Sequence, residues 1–152
     1  MTRRFWLAEG GFDLERLARV PTTAVDRFFA DPERWVRLQP LVIDIRADAE
    51  RPHYYRVTHR QRLLGIPLRH SYRARIEPKP DRVDAEGWLR PSIHLRNRIR
   101  WVADGRHTRL AESVRIEAPR VLLRLALRTA RKAHDELLDR ICIHLERNAS
   151  SE

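Results

Sequence analysis

The stretch RVLLRLALRTARKAHDELLDRICIHLER, residues 120–147, is the one long segment whose apolar positions keep a helical period from end to end. Leu122, Ala126, Thr129, Ala133, Leu137, Ile141 and Leu145 recur at three- and four-residue spacing, which puts them on one face of an α-helix. Pro119 precedes the run, where its missing N–H would have had no intrahelical partner anyway. The middle of the face is small: Ala126, Thr129, Ala130 and Ala133. Small residues allow close packing of the helix backbone on bulky strand residues. Alternatively, they leave space, so that the helix roofs a cavity. In either case the preceding chain must supply the floor.

That preceding chain reads as strands with two short helices near its start. Residues 12–20 alternate loosely and stop at Pro21. Thr23-Ala24-Val25-Asp26 is a weak capping box, followed by an apolar face of Val25, Phe28 and Phe29. Asp31-Pro32-Glu33-Arg34-Trp35 opens a second short helix, with Asp31 as cap and Pro32 in the first turn. A strand is expected over 42–48. Longer alternating stretches follow over 53–64, 67–77, 82–89, 93–103 and 107–118, bounded by Gly65, Pro78-Lys79-Pro80-Asp81, Pro91 and Asp104-Gly105. Successive strands joined by short turns predict an antiparallel meander. One sheet with one long helix must curl around that helix to bury both.

This order, with Val20-Pro21-Thr22-Thr23-Ala24-Val25 before the first helix and Asp31-Pro32-Glu33-Arg34-Trp35 opening the second, resembles the START-like superfamily. That group includes polyketide cyclase-like and Bet v 1-like helix-grip proteins. The resemblance covers about residues 12–145 and rests on element order more than on local motifs. It implies an α+β helix-grip fold: a curved seven-stranded antiparallel sheet wrapped around a long C-terminal helix, with two short helices after the first strand and an apolar cavity between sheet and helix. The superfamily has no shared catalytic signature, so the resemblance implies ligand binding rather than a named reaction.

Alternation drafts the floor of such a cavity. In 53–64, Tyr55, Val57, His59 and Gln61 share one face and Arg56, Arg60 and Arg62 the other. Three arginines cannot be buried together, so the first set faces inward. The same argument turns Leu68, His70, Tyr72, Ala74 and Ile76 inward, then Ile93, Leu95, Asn97, Ile99 and Trp101, then Leu110, Glu112, Val114 and Ile116. Val83, Ala85, Gly87 and Leu89 fit inside on the remaining strand. The inward polar minority is His59, Gln61, His70, Tyr72, Asn97 and Glu112. A few polar groups in an apolar concavity is the composition of a small-molecule pocket. Each is also open to a plainer reading, as a core polar residue satisfied by a neighbour. With Tyr55, Trp101, Thr129 and Ala133 they form the expected ligand-binding set. Glu112 is the sharpest member, since a carboxylate facing an apolar interior needs a cation, a histidine or water.

His70, Tyr72 and Glu112 are the candidates for general acid–base work, provided they converge. Nothing in these residues distinguishes a cyclase or dehydratase from a carrier or sensor of a small hydrophobic, aromatic or polyketide-like molecule. The seven histidines show no His-Glu-x-x-His spacing, the five glycines form no phosphate loop, and no Gly-x-Ser-x-Gly elbow is present. No metal or cofactor is expected. Cys142, the single cysteine, falls late in the long helix and reads as a buried, inert thiol rather than a reactive one.

The 152 residues suffice for one domain, 1–152, with a core of about 12–147. No run approaches the roughly 20 apolar residues of a membrane span, so a cytoplasmic protein is expected. The formal net charge is +10, and Lys79 and Lys132 are the only lysines. Alternation puts much of the arginine on the outer face of the sheet. Arg73, Arg75, Arg98 and Arg100 are candidates there for contact with RNA or an anionic membrane surface, without stable insertion; the alternative is a solvated face.

Overall fold

The computed structural model describes residues 5–63 and 65–151, so position 64, the expected end of a strand, lies outside the described residues. The order is β1 (Leu7–Ala18), α1 (Thr22–Phe29), α2 (Pro32–Val36), β2 (Val42–Ala47), β3 (Tyr54–Leu63), β4 (Ile66–Lys79), β5 (Arg82–Leu89), β6 (Ile93–Asp104), β7 (His107–Pro119) and α3 (Arg120–Ala149). The strands form one antiparallel seven-stranded sheet in the order β1-β7-β6-β5-β4-β3-β2. The meander from β2 to β7 is therefore closed by β1, which returns to pair along the whole of β7. The sheet curves around α3, and this is a helix-grip fold. Among the described residues no helix is long and apolar enough to cross a membrane.

The alternation argument holds along most of the strand length, though Leu68, expected inward near the start of β4, is exposed. Val57, Ala74, Ile76, Val83, Ile99, Leu110, Val114 and Ile116 are buried on the inner face, while the arginines of β3, β4, β6 and β7 are exposed on the outer face. The apolar interior has two parts. The larger packs Val25, Phe28 and Phe29 of α1 and Trp35 and Val36 of α2 against the sheet and against Leu137, Leu138, Ile141 and Leu145 of α3. The smaller is Phe12, Val114, Ile116 and Ala118, covered by Leu123, Ala126, Leu127 and Ala130 from the first half of α3. Thus Ala126 and Ala130 seat the helix on strand residues, the close-packing alternative, rather than roofing empty space.

Several local expectations shift. β1 begins five residues before the expected position 12, because Gly10 and Gly11 pair with Ile116 and Arg115 despite their weak strand preference. Gly10 serves the approach of α3: a Cβ there would lie 2.8 Å from Leu127 Cδ1. Neither short helix uses the side-chain cap expected of it. α1 starts at Thr22 after Pro21, and Asp31 meets the first N–H groups of α2 with its backbone carbonyl. Asp26, the acidic end of the expected capping box, instead accepts from Trp101 Nε1 at 2.6 Å. A tertiary partner outcompetes the local one.

Candidate functional site

Space between sheet and α3 is concentrated beneath His134 and Leu137, and its volume is about 90 Å³. α2 walls it with Trp35 and Val36, β3 with Val57 and His59, and β4 with Tyr72, Ala74 and Ile76. β5 adds Ala85 and Gly87, and β6 adds Leu95 and Asn97. The wall is thus apolar apart from His59, Tyr72, Glu86, Asn97, His134 and, from the α2–β2 connection, Gln39. Gly87 makes one side of it: a Cβ there would stand 3.1 Å from Tyr72 Cε2, so the bare backbone lets the phenol ring lie flat.

Two polar groupings meet at this wall. In the first, Tyr72 Oη and His59 Nε2 share a hydrogen bond of 2.9 Å, and His70 sets its ring edge-on to His59 with centroids 5.5 Å apart. Register explains the grouping, since His59 pairs directly with His70 and Val57 with Tyr72 across β3 and β4. Burial, then the nearby His70 and His134, pushes the His59 pKa down to about 3, so its imidazole is neutral near pH 7. Burial likewise pushes the Tyr72 phenol upward and keeps it protonated. The pair therefore offers a ligand a neutral donor and acceptor, not a charge.

In the second grouping, Glu112 of β7 is fully buried and its Oε1 receives His134 Nδ1 at 2.5 Å and Asn97 Nδ2 at 3.0 Å. Its Oε2 is buried without a partner among the described residues. Asn97 faces Val114, one inward position along from Glu112, on the paired strands β6 and β7, while α3 brings His134 down from above. With Nδ1 committed to Glu112, His134 keeps Nε2 without a hydrogen-bond partner among the described residues, at the cavity wall.

The expected site residues divide accordingly. His59, Tyr72 and Asn97 line the cavity. His70 and Glu112 stand behind it and act through His59 and through His134 and Asn97. Tyr55, Gln61, Trp101, Thr129 and Ala133 are not on its wall. Trp101 stacks on Phe29 at 4.8 Å between centroids, in the core beside α1. The candidate acid–base trio of His70, Tyr72 and Glu112 does not form one cluster. Tyr72 and His70 belong to the first grouping and Glu112 to the second, whose histidine is His134. That residue lies on α3 one position beyond Ala133, off the run of apolar positions counted in the sequence. Cys142 is half-buried, and burial raises its thiol to about 11, which leaves it protonated and unreactive.

The outer face is less cationic in effect than its arginine count suggests. Asp84 holds Arg98 at 2.5 Å, Glu77 pairs with Arg75, and Glu9 holds Arg96 at 3.1 Å. Arg73 lies over the rings of Tyr54 and Trp88, at 5.6 and 5.5 Å from their centroids. Of the four arginines expected to meet an anionic partner, Arg100 alone has neither an ion pair nor a ring contact among the described residues. A broad depression of about 840 Å³ on this face is walled largely by these mutually satisfied charges.

No protein-family model matches the chain, and no curated protein is similar to it in sequence. Solved structures are similar in fold. The di-domain ARO/CYC StfQ from the steffimycin biosynthetic pathway superposes with a TM-score of 0.74 at 11% identity, covering 97% of this chain and 53% of StfQ. A START superfamily protein from Mycobacterium smegmatis gives 0.70 at 12% identity, covering 90% of this chain and 97% of that one. Ara h 8.0201 gives 0.68 at 13% identity, covering 91% and 98%. These likenesses, together with the element order and the pairing of β1 with β7, establish a START-like helix-grip fold for this chain.

Proposed function

We propose that the chain binds a small hydrophobic molecule carrying at least one hydrogen-bonding group, in the cavity between sheet and α3, as a carrier or sensor. The observation that carries this reading is the convergence of two built polar groupings, His59–Tyr72 and His134–Glu112–Asn97, on an otherwise apolar wall. Dry cores rarely hold so many polar groups, because each costs free energy unless satisfied. At about 90 Å³ the space is smaller than the roughly 300–1,000 Å³ of ordinary ligand sites, so the ligand enters by displacing the wall. The side chains it must displace are those that close the space from above, His134 and Leu137 of α3 and Trp35 and Val36 of α2. Similarity in fold to a protein named as an ARO/CYC of a biosynthetic pathway supports an aromatic or polyketide-like ligand class.

The test is titration with an apolar fluorophore such as an anilinonaphthalene sulfonate, displaced by planar polyphenols. Ala85→Phe puts a ring into the space beside Asn97 and should weaken binding about tenfold or more; equal binding by a folded A85F protein would remove the cavity as the site.

One observation favours a second reading, a cyclase or dehydratase. His134 held through Nδ1 by a buried carboxylate, with Nε2 at the cavity wall, is the arrangement of a general base and its orienting group. Incubation with poly-ketone substrates separates the two: a binder leaves them at the uncatalysed rate, whereas an enzyme turns them over and loses this in His134→Gln.

A further inference from the structure

The first three turns of α3 are unlike the rest of the surface. Arg120, Val121, Arg124, Leu125, Arg128, Arg131 and Lys132 are all exposed, and at 3.6 residues per turn they fall within one arc of about 140°. Val121 is 89% exposed and Leu125 45%. β1 leads into the same place. Arg120 N–H donates to the Trp6 carbonyl at 2.8 Å and its Nε to the Phe5 carbonyl at 2.7 Å, which sets Phe5, 81% exposed, and Trp6, 47% exposed, beside the start of the helix. None of these five cations has a carboxylate partner among the described residues, in contrast to Arg75, Arg96, Arg98, Arg109 and Arg115 on the outer face of the sheet. Arg131 instead lies over the Phe12 ring, 5.8 Å from its centroid. Cations also oppose the positive end of the helix dipole, and the first turn of α3 has no acidic residue. The local sequence is thus built against helix stability and in favour of something negative outside.

We propose that this surface docks on an anionic lipid bilayer, with the first half of α3 lying in the plane of the membrane, Phe5, Trp6, Val121 and Leu125 entering the headgroup–acyl boundary and the five cations meeting lipid phosphates. The mixture selects the partner. Nucleic acid would use the cations and stacked rings but has no use for isolated aliphatic side chains among them. A bilayer uses cations, aliphatics and interfacial aromatics together. The inference stands independently of the cavity's occupant, since it uses none of the residues on the cavity wall.

The test is co-sedimentation of the whole chain with vesicles of phosphatidylcholine alone and with about one-third phosphatidylglycerol. Binding is expected to the anionic vesicles, at least tenfold tighter than to the neutral ones, and to weaken with salt. Each surface cation contributes about fivefold, so Arg124→Gln, Arg128→Gln and Lys132→Gln together should weaken it by roughly 100-fold. Val121→Gln with Leu125→Gln should weaken it by about tenfold. All five positions are exposed, and unchanged thermal unfolding confirms that the variants fold. Quenching of Trp6 by brominated lipids, in a Trp88→Phe background, gives a positional readout. Absence of binding to anionic vesicles at low salt overturns the proposal. So does binding that is indifferent to Val121→Gln and Leu125→Gln, or a 20-nucleotide single strand bound more tightly than the vesicles.

Discussion

His59 and His134 share a cavity wall but meet different surroundings. His134 has a carboxylate against Nδ1, whereas His59 has a phenol and two other imidazoles near it. With the His59 pKa lowered from 6.5 to about 3, the unfolded chain takes up a proton there below about pH 6.5 and the folded chain does not until about pH 3. Stability from this residue is therefore intact above about pH 6.5 and declines as pH falls through that window, by about 1.4 kcal/mol per unit. His59→Gln keeps a hydrogen-bonding group and abolishes the titration, so urea midpoints measured from pH 7 to pH 4 should fall less steeply in the variant. Parallel pH profiles would assign the acid sensitivity to another group. Glu112 supports a second expectation. His134→Leu strips the buried carboxylate of its imidazole and should cost about 3–5 kcal/mol, while Glu112→Leu added to it should restore most of that loss, because a buried pair costs most when only one partner is removed. Denaturant unfolding of the two single variants and the double variant measures this. Of this pair, Glu112 was legible in the sequence as an inward carboxylate needing a partner. His134 was not, because a face traced through apolar positions passes over a histidine, although residue 134 lies one turn from Ala130 and Leu137 on the same buried stripe.

α3 is one helix with two different undersides. Its second half buries Leu137, Leu138, Ile141 and Leu145 in the main core, whereas no residue from 120 to 132 is fully buried. The first half also opposes its own dipole with cations. Opening of the first half should therefore be at least tenfold more frequent than opening of the second, a difference of about 1.4 kcal/mol. Amide hydrogen exchange at pH 7 reads this directly: protection over 122–131 should be at least tenfold lower than over 137–145, and uniform protection would show that the two halves of α3 are equally stable. The same half is held to β1 through Gly10, so Gly10→Val should push Leu127 away and lower that protection further. At this scale the sequence was most readable where a period ran unbroken. Arginine alternating with apolar residues turned the inner and outer faces of β3, β4, β6 and β7 the right way, and the meander followed from the turns. It was least readable where two elements approach each other. Gly10, which admits Leu127, and Gly11 also concealed the start of β1, and Asp26, expected in the capping box of α1, is drawn to Trp101, distant in sequence.

For the whole molecule, an underfilled space between sheet and helix is a packing defect maintained inside a curved sheet. Missing contacts cost stability in proportion to the volume left empty, so a chain selected for stability alone would fill about 90 Å³ with side chains. Filling is available at Ala74 and Ala85, both of which line the space with little side chain. Ala85→Phe should then leave stability unchanged or raise it by up to about 2 kcal/mol, in the range of other cavity-filling changes. Leu137→Ala should do the reverse, enlarging the space and costing about 2–5 kcal/mol. A ligand that occupies the cavity stabilises only the protein that can hold it: at a free concentration one hundred times its dissociation constant the gain is about 2.7 kcal/mol. For a domain of this size that is a rise in Tm of about 5–10 °C. Thermal unfolding with and without a saturating planar polyphenol should therefore show that rise in the wild-type chain, little or none in A85F, and a rise at least as large in L137A from a lower starting point. If A85F gains as much as the wild type, the ligand binds elsewhere, and the space under His134 is an ordinary packing flaw.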